Sequence, residues 1–319
     1  MINQNIPLEI SYEITTRCNF QCVHCFNREN HYTEIGHEKL DFLEEFIRGS
    51  RTMSVLLTGG EFFLHPHAME VLERMKRIGN MGITVYSNAS LITRDIAKYL
   101  KDNRINLEVT LYGASIDTYK SVTGNGDNYH KVCEGLARLN EQGTNYRLKG
   151  ILLRQNFQEA DAIADIISSH NGESTHINFE LFGNKKRIRE SRLTNEQSLQ
   201  LYRKYGVQIF TKRTPFGHCG AGKMQCCIRP DGTVIPCVGW NELVIGNIET
   251  DSFKEVSTSF DMSDLRKLDI KCTHCEHSAF CDVCPMFFYQ DTGSSTHISP
   301  EICRHAGLRH SVYAEHESV

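Results

Sequence analysis

Cys18, Cys22 and Cys25 stand in one run of eight residues, Cys18-Asn19-Phe20-Gln21-Cys22-Val23-His24-Cys25. Three thiolates in one short loop can each bind an iron of a single cubane and leave the fourth iron without a protein ligand. An open coordination position suits a reactive metal site, whereas a structural zinc site is closed by four ligands. On spacing alone the zinc reading stays open, because His24 or His31 could supply a fourth ligand. A chance cluster is the remaining alternative.

A second set of cysteines crowds the C-terminal third. Of thirteen cysteines, nine fall between Cys219 and Cys303. Cys219-x12-Gly232-x4-Cys237 is followed by Cys272-x2-Cys275-x5-Cys281-x2-Cys284, and 18 residues separate Cys284 from Cys303. Pairs of the C-x2-C form also occur in zinc ribbons, so two zinc sites compete here with iron–sulfur clusters. The odd count argues against full disulfide pairing. Met1–Leu8 has neither a positive n-region nor an apolar h-region, so a secreted disulfide framework is not expected. Cys226 and Cys227 are adjacent, and neighbours on a strand face opposite ways, so one can ligate while the other packs as a small hydrophobe. Cys133 lies in a helix-period stretch and is expected in the core.

The bulk numbers exclude some partners. The 319 residues are 40% hydrophobic and 23% charged, with a net charge of −4. That balance is ordinary for a globular chain and argues against nucleic acid, whose phosphates call for a basic face. No apolar stretch approaches the length of a membrane span. No membrane partner is expected, and the expected location is cytoplasmic.

The elements that must position these residues alternate along the first two thirds. Strand candidates are Leu8–Thr15, Ser54–Thr58, Gly82–Ser87, Asn106–Leu111, Arg147–Leu153 and His176–Leu181, rich in Val, Ile, Leu and Tyr. Helix-period segments follow each, around Lys39–Arg48, Ala68–Ile78, Thr93–Leu100, His130–Gln142, Phe157–Ser168 and Asn195–Tyr205. Six β-then-α units predict an α/β fold with a parallel sheet and right-handed crossovers, coiled into an open partial (β/α)6 barrel. Chemistry in such barrels sits at the C-terminal ends of the strands, and Cys18 follows the first strand. After about Pro215 long helices are expected to be scarce. Residues 225–238 read as a hairpin turning at Pro230-Asp231-Gly232. A small loop-rich region of this kind is what metal clusters hold together. The expected domains are residues 1–212 and 213–319, the boundary falling near 208–215.

These motifs resemble the radical S-adenosylmethionine (SAM) superfamily, whose cluster loop is C-x3-C-x-φ-C with φ usually aromatic and here His24. The resemblance implies a [4Fe-4S] cluster on Cys18, Cys22 and Cys25 whose open iron is chelated by SAM. One electron then cleaves SAM to a 5′-deoxyadenosyl radical, the cofactor carrying the hard chemistry. Gly59-Gly60-Glu61 matches a segment that contacts the SAM amino group. Glycines admit close backbone approach, and a carboxylate suits an ammonium. Tyr86-Ser87-Asn88 ends the third strand, where relatives place polar SAM contacts, and Thr110-Leu111-Tyr112-Gly113 resembles the fourth-strand segment. Lys149 or Arg154 is placed to meet the SAM carboxylate.

The C-terminal pattern resembles the SPASM domain, which carries auxiliary [4Fe-4S] clusters. By that resemblance Cys219, Cys237 and Cys284 hold a first auxiliary cluster, and Cys272, Cys275, Cys281 and Cys303 hold a second. One departure stands out: two residues separate Cys281 from Cys284, where the family usually has three. Of the leftover pair, Cys226 is assigned as a further ligand and Cys227 as a thiol that donates hydrogen to a substrate radical, as in some peptide epimerases of the family. Either of them can also be read as the ligand.

The resemblance implies a maturase of ribosomally made peptides, by crosslinking, epimerisation or oxidation. It also implies an electron donor such as a flavodoxin or ferredoxin. Only 17 residues precede Cys18, so the expectation is that a separate leader-peptide-binding protein delivers the precursor, or that the barrel binds it directly, or that the substrate is not a peptide. The alternatives are a radical SAM oxidase of a small molecule, such as a tetrapyrrole or sugar, and a zinc-binding interaction protein without catalysis.

Overall fold

The computed structural model describes residues 7–27, 33–172, 176–205, 220–260, 272, 274–281 and 283–317. Cys219, His31 and the expected boundary near 208–215 lie outside the described residues.

The strands are β1 (Glu9–Glu13), β2 (Ser54–Thr58), β3 (Gly82–Ser87), β4 (Asn106–Leu111), β5 (Tyr146–Ile151), β6 (Ile177–Asn178), β7 (Gln225–Ile228), β8 (Thr233–Ile235) and β9 (Gly246–Asn247). They form one open sheet in the order β6-β5-β4-β3-β2-β1-β7-β8-β9. The pairs β1–β2, β2–β3, β3–β4, β4–β5 and β1–β7 are parallel. The expected hairpin is present as the antiparallel pair β7–β8, to which β9 adds a third antiparallel strand. At its turn the Asp231 carboxylate accepts the Thr233 amide at 3.0 Å.

Crossover helices α1 (Leu40–Ser50), α2 (Ala68–Ile78), α3 (Arg94–Asp102), α4 (Ile116–Thr123), α5 (Asp127–Gln142) and α6 (Ala160–Asn171) follow the first five strands. The sheet's two faces differ sharply. Ile10, Val55 and Ile83 stand side by side across β1–β3, each at most 4% exposed, with Val85 and Leu107 on the same face of β3 and β4. This is the helix-covered outer face of a partial (β/α)6 barrel. The inner face carries Ser11, Glu13, Thr84, Tyr86, Glu108 and Lys149.

Helices α7 (Lys186–Ser191), α8 (Asn195–Tyr205) and α9 (Phe253–Ser259) come next, then the helices Pro285–Thr292 and Pro300–Glu317. The expected scarcity of long helices after Pro215 is therefore corrected, since Pro300–Glu317 spans 18 residues. Its pattern was hidden because it buries His305 and Arg309 together with Ile302, Ala306 and Val312, which blurs the hydrophobic period. Cys133 is a second correction. It lies exposed on α5, one position off the stripe of Val132, Gly135 and Leu139 that α5 buries.

The described residues form two compact units. One holds those up to 151, 159–177 and 220–260; the other holds 152–158, 178–205 and those from 272 onward. No described helix is long and apolar enough to cross a membrane.

Candidate metal centres

The loop bearing Cys18, Cys22 and Cys25 leaves the C-terminal end of β1 and is fixed on three sides. Toward β2, the amides of Gly60 and Glu61 donate to the carbonyls of Thr15 and Arg17 at 2.7 and 2.8 Å. A Cβ on Gly60 would lie 2.0 Å from the Arg17 carbonyl oxygen, and one on Gly59, at φ +140°, 2.3 Å from that of Thr15. The two glycines are thus needed for approach to the cluster loop's own backbone, a role that the reading from ligand contact did not include. Toward β3, Asn88 Nδ2 donates to Asn19 Oδ1 at 2.9 Å, Asn19 Nδ2 donates to Ser90 Oγ at 2.8 Å, and Ser90 Oγ donates to Asn88 Oδ1 at 2.6 Å. Toward α4, the amides of Gln21 and Val23 donate to the carbonyls of Thr123 and Val122 at 3.0 and 2.9 Å.

Glu61 locks the ends of β2 and β3 together. Its carboxylate, 1% exposed, accepts Ser87 Oγ at 2.7 Å, the Asn88 amide at 2.8 Å and the Phe63 amide at 3.3 Å. Burial raises its pKa against these donors. Gly59, Gly60, Glu61, Ser87 and Asn88 are therefore gathered at one place beside the cysteine loop.

The three thiols share one environment. Burial pushes the Cys18 thiol up to about 12, with Glu61 and Cys25 adding to the rise, although the Phe20 amide donates to its sulfur at 3.4 Å. Tyr112, at the end of β4, is raised by burial and by all three thiols at once. Its ring stands 5.7 Å from that of His24 and 6.1 Å from that of Phe20, so aromatic groups floor the loop. A neutral Cys18 thiol is thus a poor acid, and a coordinated cation reverses that by binding the thiolate outright. Three thiol donors on one loop, Cys22 buried and Cys18 and Cys25 half-buried, fit a cubane with one iron left for SAM.

Lys149 and Arg154 are not equivalent. Arg154 lies beyond β5, and its guanidinium donates to the Arg192 carbonyl at 3.1 Å. Lys149 lies on the inner face of β5, donating to the Tyr86 hydroxyl at 2.9 Å and pairing with Glu108.

The leftover cysteines are separated by the strand's alternation. Cys226 is paired with Ile10 on the apolar face, 1% exposed, and burial pushes its thiol up to about 12. Cys227 pairs with Ser11 on the inner face, and its thiol is raised by burial and by Glu13, Cys226 and Cys237. Cys227 and Cys237 are thereby brought together. Glu13, also on that face, accepts from Asn27 Nδ2 at 3.4 Å.

In the other unit, Cys272, Cys275, Cys281 and Cys303 all line one largely apolar cavity with His277, Val283 and Phe288. Cys303 is brought in by the Pro300–Glu317 helix, and burial together with the field of Cys275 raises its thiol. Cys284 is not among the lining residues. It caps the Pro285–Thr292 helix, with the Phe288 amide donating to its carbonyl at 3.0 Å. None of the described cysteines forms a disulfide.

Asn19, Ser90 and Glu108 were not anticipated, and Tyr86 and Tyr112 only as parts of segments. Ser90 carried a faint signal, a small polar residue two places beyond Asn88, but nothing in the chain's order announced its bond to Asn19.

Comparison with known proteins follows the same division. Residues 12–167 match the Radical SAM superfamily, and residues 219–285 match SPASM, an iron–sulfur cluster-binding domain. The antilisterial bacteriocin subtilosin biosynthesis protein AlbA of Bacillus subtilis is 23% identical over 270 residues, covering 80% of this chain and 60% of AlbA. The AdoMet-dependent heme synthase of Methanosarcina barkeri is 22% identical over 330 residues, covering 91% of this chain and 94% of the synthase. The solved structure "Native anSMEcpe with bound AdoMet and Cp18Cys peptide" shares the fold, with a TM-score of 0.74, 15% identity and 97% of each chain covered. The cysteine loop and the strand-end cradle lie within residues 12–167, and Cys272, Cys275 and Cys281 within residues 219–285; the chain belongs to the radical SAM superfamily, with a C-terminal SPASM iron–sulfur cluster-binding domain.

Proposed function

We propose that this protein modifies a ribosomally made precursor peptide by radical chemistry. The observation that carries the reading is the convergence of Cys18, Cys22 and Cys25 around Tyr112, beside the Glu61–Ser87–Asn88 cradle at the strand ends. When bound there, a [4Fe-4S] cluster and SAM supply a 5′-deoxyadenosyl radical that takes hydrogen from a substrate carbon. The chain's own residues hold and aim that chemistry. Gly59 and Gly60 seat the cluster loop, Glu61 fixes the ends of β2 and β3, and His24 and Tyr112 close the loop's aromatic side.

Residues 1–212 form the radical domain and 213–319 the auxiliary domain in this proposal. Cys272, Cys275, Cys281 and Cys303 hold one auxiliary cluster. Cys219, Cys237 and Cys284 hold the other. Its further ligand is Cys227, which shares the inner face and the surroundings of Cys237, whereas Cys226 packs in the apolar layer. This moves the ligand's role from Cys226 to Cys227 and leaves neither cysteine as the hydrogen donor. Acting in the cytoplasm, the protein takes electrons from a flavodoxin- or ferredoxin-like donor.

Similarity to AlbA and to a peptide-bound neighbour supports a peptide substrate. The relative named as a heme synthase, covered over nearly its whole length, favours a second reading, oxidation of a tetrapyrrole. The deciding experiment measures iron and sulfide after anaerobic reconstitution, then SAM cleavage with peptide and with porphyrin substrates. About twelve iron and twelve sulfide per chain are expected. About eight would remove one auxiliary cluster, and stoichiometric zinc with little iron would overturn the proposal.

A further inference from the structure

The inner face of the sheet carries a partly desolvated ion pair. Lys149 Nζ lies 2.9 Å from the Tyr86 hydroxyl and 4.3 Å from the centre of its ring, and it pairs with Glu108. The side chains of Lys149 and Glu108 are 33% and 19% exposed, so both have lost much of their hydration. Pairing with Glu108 and Tyr86 outweighs that loss and holds the Lys149 pKa above its ordinary value, so the ammonium is fixed in place and charged. Tyr86 is 38% exposed although β3 lies between β2 and β4, well inside the sheet. Its ring therefore fronts open space on the inner face. Tyr86 directly precedes Ser87 and Asn88, which form the cradle with Glu61.

Charge decides what this group can receive. Glu108 neutralises the Lys149 ammonium, and Glu9 lies within electrostatic reach of both. A free carboxylate would gain little here. What the group offers is donors without net positive charge: the third ammonium hydrogen and the phenol hydrogen, which an incoming acceptor would share with Glu108. Such a surface suits a neutral acceptor, and in a peptide that is the amide carbonyl.

We propose that Tyr86, oriented by Lys149 and Glu108, hydrogen-bonds a backbone carbonyl of the peptide substrate and so sets which carbon faces the radical. This rests on the peptide reading above. Tyr86 touches substrate, while Lys149 and Glu108 are positioning residues. The proposal also moves Lys149 away from the SAM carboxylate.

The test uses the reconstituted full chain, SAM, and a pool of short, fully deuterated peptides of mixed sequence. Deuterium in 5′-deoxyadenosine, read by mass spectrometry, reports hydrogen taken from any peptide, and SAM affinity is measured separately by equilibrium binding. Tyr86→Phe and Lys149→Met are expected to lower the deuterated fraction about tenfold, equivalent to about 1.4 kcal/mol of lost orientation. SAM affinity and total 5′-deoxyadenosine should stay within about twofold of the parent, and Lys149→Arg should restore part of the loss. An unchanged deuterated fraction in Tyr86→Phe overturns the proposal and leaves the peptide reading standing. Loss of SAM affinity in Lys149→Met returns Lys149 to the cofactor and also overturns it. If the parent protein cleaves SAM yet takes no deuterium from any peptide, the peptide reading fails and the proposal with it.

Discussion

Gly60→Ala tests the claim that the strand-end glycines exist for the cluster loop's backbone. The added methyl would sit 2.0 Å from the Arg17 carbonyl oxygen, 2.4 Å from its carbon and 2.8 Å from the Thr16 carbonyl oxygen. All three are backbone atoms, so no side chain can swing away. Relief needs a shift of more than 1 Å, because ordinary contacts begin at 3.4 Å. Such a shift breaks the Gly60–Thr15 and Glu61–Arg17 hydrogen bonds. Two lost hydrogen bonds are worth about 2 kcal/mol, and overpacking adds about 1–3 kcal/mol, so about 3–5 kcal/mol is expected. The assay is urea unfolding of the cluster-free chain, followed by iron content after reconstitution. Gly49→Ala is the control. No atom lies within 4 Å of its Cβ, and removing a helical glycine should stabilise by about 0.5–1 kcal/mol. Were Gly60→Ala to match the parent in unfolding midpoint and iron, the packing account of Gly-Gly-Glu would be wrong. A variant of parental stability that binds SAM weakly would instead restore the ligand-approach account.

Further predictions follow from the same geometry. Gly135→Ala should destabilise by about 2–3 kcal/mol, because its Cβ would meet the Ala89 carbonyl oxygen at 2.0 Å and push α5 off the strand-end loop; an unchanged melting curve refutes this. Cys303→Ser should remove about four iron from the reconstituted protein, whereas Cys133→Ser should remove none, and equal iron in both would dissolve the cysteine-lined cavity as a cluster site. Glu159 accepts the Ala114 amide at 2.6 Å and the Ser115 hydroxyl. Burial raises its pKa, but these donors outweigh burial and leave it below its ordinary 4.5. Its contribution is therefore complete above pH 4.5 and is lost as pH falls below that value. The stability difference between parent and Glu159→Gln, followed by urea unfolding from neutral pH downward, should shrink in that range, and a difference that grows on acidification would contradict the assignment.

Local order and cysteine spacing carried much of this protein. Strands β2, β3 and β4 lie at the limits that Val-, Ile- and Leu-rich runs set, because β3 and β4 keep a side-chain period of two and β2, buried at Val55, Leu56 and Leu57, is a continuous apolar run. The loop Cys18-x3-Cys22-x2-Cys25 was legible because its three ligands lie within a few residues, so their proximity is covalent. Cys272, Cys275 and Cys281 were legible for the same reason. Tertiary structure decided whatever depends on residues far apart in sequence. It brought Cys303 into the cavity on a helix whose buried His305 and Arg309 had masked its pattern. It set Asn19 against Ser90 and Asn88, 71 and 69 residues away, and turned Gly60 toward Arg17. It also separated Cys226 from Cys227, since only the pairing of β7 with β1 fixes which of two adjacent side chains enters the apolar layer. A strand's alternation is written in its sequence, but which face meets the core is settled by its neighbour's register.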